Sequence, residues 1–142
     1  CGSLHQRETI EGIEVVRLPS HLSTRYPVTP GVFSAIRGAD LVHVHAIDFF
    51  FDALAFARPF QGIPLVATTH GGFFHSGNAG GLKTLWFNTL TRLSAMAYRG
   101  LACCSQSDYE RFATIAPGTV RLIENGVDQT DFPASGSTRQ LN

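Results

Sequence analysis

Apolar residues form two kinds of stretch along this chain: short continuous runs and longer segments in which they recur every three or four positions. Short runs bounded by glycine or proline are typical of buried strands, and the second spacing is typical of amphipathic helices. The short runs predict strands over residues 12–18, 40–45, 64–69, 101–104 and 119–123. The helical spacing predicts helices over residues 32–37, 48–57, 82–98 and 109–115. Strands and helices therefore alternate along the chain.

Local signals refine the ends of these elements. Asp48 is the expected N-cap of the helix at 48–57, and Pro59 is expected just beyond its end. Residues 1–11 are predicted to form an irregular lead-in. Residues 19–31 hold three of the seven prolines and are predicted to form a loop. The charges of the strand at 12–18 place it near a sheet edge.

Regular alternation of strands and helices predicts right-handed βαβ units. The expected fold class is therefore α/β, a Rossmann-like open parallel sheet with helices on both faces. A chain of 142 residues with 44% apolar and 15% charged residues is long enough and apolar enough for one globular core.

Charge and cysteine content narrow the function classes. Eleven basic residues balance eleven acidic ones, so bulk charge gives no argument for nucleic acid. The sequence contains no run of about 18 apolar residues, so no membrane-spanning helix is predicted. Three cysteines, two of them adjacent in an apolar run, favour a reduced, cytoplasmic interior over a disulfide framework.

Polar side chains recur where successive predicted strands end: His45, His70, Ser105, and then Glu124 with Asn125. The carboxyl ends of parallel strands meet at one edge of the sheet, where open α/β folds bind ligands. Side chains about 25 positions apart in sequence are therefore expected to line one crevice.

The histidines differ in their expected roles. His70 precedes Gly71 and Gly72, so it is a candidate general acid or base, or a hydrogen-bond donor to a sugar hydroxyl or phosphate. The alternative is a histidine that caps its loop. His43 and His45 share a strand face; His43 is predicted to be a satisfied core histidine, and the tip position of His45 fits a ligand contact or a structural role.

Ser105 and the helix that carries Trp86 each allow two interpretations. Ser105 is either a substrate contact or a helix N-cap, and with no base assigned to it a serine nucleophile is not supported. The helix carrying Trp86 is predicted to be core, with a membrane contact by Trp86, Lys83 and Arg92 as the alternative. The phosphate-binding loop and the dinucleotide glycine motif are both missing, which argues against ATP or a dinucleotide in this chain.

Four motifs in this order resemble the N-terminal half of family-4 glycosyltransferases of the two-domain GT-B type. They are DLVHVH at 40–45, PLVATTHGG at 64–72, Ser105, and IENGVD at 123–128. The likeness runs from about residue 12 to 132. The THGGFFH form at 69–75 is similar to mannosyltransferases that build bacterial exopolysaccharide.

This resemblance implies retaining transfer of a sugar, with GDP-mannose favoured as donor, to a saccharide or lipid-linked acceptor, without a cofactor or essential metal. By position, His70 matches the catalytic histidine beside the donor sugar. His45, Gly71 and Gly72 match acceptor-side positions. Ser105 and Asn125 complete the implied substrate-binding set, and Asn125 begins the turn that closes the last strand.

The resemblance also implies a domain organisation. Residues 1–133 are expected to be a partial N-terminal domain and residues 134–142 the start of an interdomain linker. The first strand with its glycine-rich loop, and the C-terminal domain that grips the donor, are expected to be missing. The isolated chain is then expected to be inactive and prone to self-association, and the enzyme to be cytoplasmic with peripheral membrane contact.

Two alternatives of other classes remain open. His43, His45 and His70 could supply the nitrogen ligands of a zinc-dependent hydrolase. Against this, no carboxylate stands at the end of the strand that carries His43 and His45. A catalytically silent binding module would keep the fold without activity. Bound zinc in the purified protein would distinguish the hydrolase from the other two hypotheses. Sugar transfer by the intact protein would distinguish the glycosyltransferase from the binding module.

Overall fold

A computed structural model describes residues 5–23, 26–70 and 80–126 of the chain. Its centre is a four-stranded parallel sheet with strand order β5-β6-β7-β8. These strands are β5 (Val42–His45), β6 (Leu65–Thr69), β7 (Gly100–Cys103) and β8 (Val120–Leu122). The predicted parallel α/β sheet is confirmed, because buried parallel strands carry the near-continuous apolar runs seen in the sequence.

One short helix precedes β5, and further helices connect the four strands. They are α1 (Val32–Ala35), α2 (Phe49–Gln61), α3 (Gly80–Trp86), α4 (Arg92–Ala95) and α5 (Gln106–Ile115). A π-helical segment, Phe87–Thr91, joins α3 to α4, and residues 80–95 together are named the outer helix. The side chains of Asn88 and Thr89 donate to the carbonyls of Thr84 and Leu85, a local competition with the helical ladder. Among the described residues, no helix combines the length and apolar character needed to cross a bilayer.

The ends of α2 show one correct and one wrong prediction. Asp48 is the N-cap, since its Oδ1 accepts the Phe50 N–H at 2.9 Å, as predicted. Pro59, expected beyond the helix, lies inside its last turn, and the helix ends at Gly62 with a φ of 69°. Proline has a fixed φ compatible with a helix and loses one backbone bond there, so it does not end the helix.

The N-terminal region departs further from the prediction. Strand β1 (Arg7–Ile10) pairs with β2 (Ile13–Val16) in an antiparallel hairpin separate from the main sheet. Glu11 and Gly12 both have positive φ, as a two-residue hairpin turn requires. Short strands β3 (His21–Ser23) and β4 (Tyr26–Val28) form a second hairpin in the predicted loop. The predicted irregular lead-in at 1–11 and loop at 19–31 were therefore wrong in these parts, whereas the strand predicted at 12–18 is found as β2.

The core lies between the sheet and the helices on one of its faces. Strand side chains that alternate toward this covered face are buried: Val42, Val44, Leu65, Ala67, Leu101, Cys103 and Val120. They pack in one cluster with Phe51, Leu54, Phe87 and Phe112 of the helices. Consecutive strand order with right-handed crossovers places α2, the outer helix and α5 on the same side. In the described part of the chain, the core therefore lies between the sheet and these helices.

Buried polar pairs attach the helices to this core. Ser94 Oγ donates to Asp52 Oδ1 at 2.7 Å, and Tyr98 OH donates to the carbonyl of Phe51 at 2.9 Å. Burial raises the pKa of the Asp52 carboxyl and of the Tyr98 hydroxyl. Because buried polar groups cost free energy unless paired, these bonds fix how the outer helix and the turn after it sit on α2.

Candidate functional site

The opposite face of the sheet, named the open face, brings the predicted histidines together. The parallel register pairs His45 with Thr68, so both side chains share this face. His43 lies two residues before His45, and His70 follows Thr68 by two residues, just past the end of β6. All three histidines are exposed.

Their rings form a contact chain, named the histidine row. His45 Nδ1 lies 3.1 Å from His70 Nε2, and these two rings stack with centroids 5.4 Å apart. The His43 and His45 centroids are 4.3 Å apart. His43 Nε2 lies 2.7 Å from Thr68 Oγ1, which fixes the inner end of the row on β6.

The row constrains where protons reside. A hydrogen bond between two imidazole nitrogens needs one donor and one acceptor, so at least one ring of the His45–His70 pair is neutral when the bond forms. Desolvation lowers the pKa of His43, and the neighbouring charges of His45 and His70 lower it further. Because all three rings are exposed, they can offer ring nitrogens to a ligand oxygen.

The prediction for His43 was wrong in one respect. Its side chain is hydrogen-bonded, as expected, but it is exposed rather than in the core. Which strand face becomes core depends on the face that the helices cover, and the alternation of Val42 to His45 alone does not decide this.

The remainder of the open face is apolar with a basic rim. A shallow cavity of about 230 Å³ has its floor on β6 and β7, including Val66 and Ala102, and is flanked by Ile123. His43 and Arg121 contribute its polar wall. Sequence reasoning missed Arg121, although an arginine inside the apolar run at 119–123 was the available signal.

Ser105 sits at the same edge, after β7. It is the N-cap of α5, and its Oγ accepts the Asp108 N–H at 3.2 Å, which confirms the capping interpretation. Asp108 Oδ2 in turn accepts from Thr69 Oγ1 at 2.7 Å, a buried bond between α5 and the end of β6 that sequence reasoning missed. A substrate contact of Ser105 stays a prediction.

The remaining predicted substrate-binding residues are Asn125, Gly71 and Gly72. Asn125 is exposed beyond the end of β8, on the edge where the other strands end. Gly71 and Gly72 lie outside the described residues, as does His75. The structure thus brings His45 and His70 into contact, and it places Ser105 and Asn125 at successive strand ends of the same edge.

Comparison with known proteins decides the family. The family described as Glycosyltransferase Family 4 matches residues 2–131, which is most of the chain. The chain belongs to glycosyltransferase family 4. This confirms the resemblance drawn from the four motifs and agrees with the Rossmann-like sheet.

Three curated relatives within this family are similar over 96% of the chain. Proteins of Xanthomonas oryzae pv. oryzae (strain PXO99A) and Xanthomonas campestris are each 47% identical to it, and one of Komagataeibacter xylinus is 46% identical. Each is named a GDP-mannose:cellobiosyl-diphosphopolyprenol alpha-mannosyltransferase. The alignments cover 35–36% of those proteins, so this chain spans about a third of their length.

The zinc-hydrolase alternative gains no support. Within residues 5–23, 26–70 and 80–126, no three His, Cys, Asp or Glu side chains are grouped to hold a metal ion. The histidine row is extended along β5 and β6, with its nitrogens turned toward one another and toward Thr68.

Proposed function

We propose that this chain is the acceptor-side part of a retaining mannosyltransferase that uses GDP-mannose and a polyprenol-linked saccharide. Family 4 membership and three mannosyltransferase relatives at 46–47% identity support this assignment. The observation that carries it is the His45–His70 contact, at the strand-end edge where open parallel sheets bind ligands.

His70 is the catalytic residue in this proposal. Its exposed imidazole hydrogen-bonds the donor sugar and steadies negative charge as the bond from sugar to diphosphate breaks. His45 contacts the His70 ring, so it selects the nitrogen that carries the proton and limits how the ring turns. Gly71, Gly72, Ser105 and Asn125 complete the proposed set of substrate contacts.

The proposed reaction retains the anomeric configuration and takes place at a membrane. Retention means that the new linkage keeps the anomeric configuration of the donor, with neither a metal ion nor a cofactor required. A polyprenol-linked acceptor places the enzyme at the cytoplasmic side of a membrane. Because the chain spans about a third of its relatives, the isolated chain is proposed to hold acceptor and transfer no sugar.

Sugar transfer by the intact protein tests this function. Radiolabelled GDP-mannose and cellobiosyl-diphosphopolyprenol should yield a labelled lipid product, and chelation of divalent metals should leave the rate unchanged. The His70→Ala variant should lose about 100-fold or more in kcat/KM, the usual range for a lost acid–base or hydrogen-bonding group.

A matched control uses His21, an exposed histidine on the β3 hairpin rather than on the main sheet. His21→Ala should transfer at the wild-type rate. Full activity of His70→Ala would overturn the assigned role, and absence of mannose transfer by the intact wild-type protein would leave the silent binding module as the function.

A further inference from the structure

His43 has no role in the proposed function, although it joins the histidine row to the sheet. Its Nε2 lies 2.7 Å from Thr68 Oγ1. Thr68 is buried and the His43 ring is exposed, so a buried hydroxyl anchors an imidazole at the surface. An exposed side chain without such a contact samples several rotamers, and holding one rotamer costs conformational entropy. The contact with Thr68 therefore restricts the His43 ring to one orientation.

The His43 ring in turn restricts the ring of His45. The two ring centroids are 4.3 Å apart and the ring planes are inclined by 30°. On its other side, His45 Nδ1 lies 3.1 Å from His70 Nε2, so the His45 ring lies between two other imidazoles. Desolvation and the neighbouring histidines lower the pKa of His43, and a neutral ring can pack here without repelling a proton on His45. A displacement of His43 would therefore reach His70 through His45.

The backbone after His45 adds a second restraint. Ala46 has a φ of 79°, in the left-handed region that a residue with a Cβ adopts only at a cost in free energy. Its N–H donates to the carbonyl of Thr68 at 3.0 Å, directly after the register that pairs His45 with Thr68. In the described part of the chain, Glu11 also has a positive φ, and the β1–β2 turn requires it there. No such turn type accounts for Ala46, and residues held in costly conformations cluster at functional sites.

We propose that His43, Thr68 and Ala46 are positioning residues for the catalytic imidazole. They hold His45 in place, and His45 holds the His70 ring in the orientation that meets the donor sugar. None of the three touches the substrate. The inference deepens the proposed function and rests on it for the catalytic role of His70. Because a misplacement of about 1 Å can cost about 100-fold in rate, loss of either restraint should lower kcat more than it weakens substrate binding.

Steady-state kinetics of the intact protein test the side-chain restraint. Thr68→Val should lower kcat for mannose transfer about tenfold and leave the KM for GDP-mannose nearly unchanged, because valine cannot anchor the His43 ring. Thr68→Ser keeps a hydroxyl and should return kcat to within about twofold of wild type. The matched control is Thr69→Val, which removes the neighbouring hydroxyl on the covered face and should keep the wild-type kcat.

Ala46→Gly tests the backbone restraint by separating stability from activity. Glycine adopts a positive φ without strain, so the urea midpoint of this variant should equal or exceed that of wild type. Its kcat should nevertheless fall about tenfold, because the strand end can then turn freely. Glu11→Gly makes the same exchange in the β1–β2 turn and should keep the wild-type kcat. Wild-type kcat in both Thr68→Val and Ala46→Gly would overturn the inference.

Imidazole nitrogen NMR of the histidine-labelled intact protein separates this inference from the proposed function. The His70 signals, assigned by their loss in His70→Ala, should show one tautomer at mildly alkaline pH in wild type and a mixture in Thr68→Val and Ala46→Gly. If wild type transferred no mannose but both variants mixed the tautomers, the proposed function would fail and the positioning would stand. If wild type transferred mannose and both variants kept one tautomer, the positioning would fail and the proposed function would stand.

Discussion

The two faces of the sheet use polar residues in different ways. On the covered face, Asp52 pairs with Ser94 and Thr69 pairs with Asp108, all buried and each spanning two elements. On the open face, three exposed histidines contact one another, and the buried Thr68 lies beside His43. Polar groups that hold elements together are already satisfied by the protein, whereas exposed imidazoles can exchange a partner for a ligand at little cost.

The contrast has a topological cause. Consecutive parallel strands with right-handed crossovers place their helices on one side, so neighbouring residues of one strand meet different environments. Thr68 and Thr69 illustrate this, because Thr68 bonds His43 on the open face and Thr69 bonds Asp108 under α5. The same residue type thus serves the site on one face and the fold on the other.

The largest predicted effect is the difference in unfolding free energy lost when an apolar side chain is truncated on each face of the sheet. Leu101→Ala on the covered face should lower the free energy of unfolding by about 2–5 kcal/mol, since a fully buried leucine leaves a cavity. Val66→Ala on the open face should cost less than about 1 kcal/mol, because a partly exposed apolar side chain gains less from burial than a fully buried one. Urea unfolding of both variants measures the two costs; equal losses would show that the open face is packed as tightly as the other.

A second prediction compares the two threonines. Thr69→Val keeps the shape of the side chain and removes the donor to buried Asp108, so it should cost about 1–3 kcal/mol of unfolding free energy. Thr68→Val removes a contact of the exposed His43 ring, which water can replace, and should cost about 0.5 kcal/mol or less. The same urea titration applies, and a larger loss for Thr68→Val would reverse the roles assigned to the two faces.

Much of the sheet could be predicted from the sequence, because burial on both faces leaves a recognisable pattern in each strand. A strand buried in a parallel sheet shows a continuous apolar run, and β6 was predicted at 64–69 and found at Leu65–Thr69. The meeting of His45 with His70 followed from the rule that parallel strands end at one edge. Family membership followed from four short motifs in order, each weak on its own.

The rest depended on long-range geometry that a local pattern does not contain. The Thr69–Asp108 and Asp52–Ser94 bonds join residues 39 and 42 positions apart, and no spacing rule pairs them. His43 was placed in the core because strand alternation does not say which face the helices cover. The β1–β2 hairpin was missed because its Glu11–Gly12 turn lacks the asparagine–glycine or aspartate–glycine pair typical of such turns.

The smallest predicted effect is a pair of opposite pH slopes on the two faces. Desolvation and the neighbouring histidines lower the pKa of His43, so below about pH 6.5 the unfolded chain binds a proton more readily than the folded chain. Stability from this group is complete above that pH and is lost as the pH falls toward the lowered folded pKa. His43→Asn should therefore weaken the decline of unfolding free energy between about pH 7 and about pH 5.5.

Asp52 should show the opposite sign, in a window that begins at its unfolded pKa of 3.8. Burial raises its folded pKa, so just above the unfolded value of 3.8 the folded chain binds a proton more readily, and stability rises as the pH falls there. Asp52→Asn should remove this rise and keep the decline that begins below about pH 6.5, whereas His43→Asn should weaken that decline and keep the rise. Urea unfolding across the pH range measures both slopes. If either variant changed both windows, the two faces would titrate as one coupled network, and the separation of fold-holding from ligand-facing polar groups would fail.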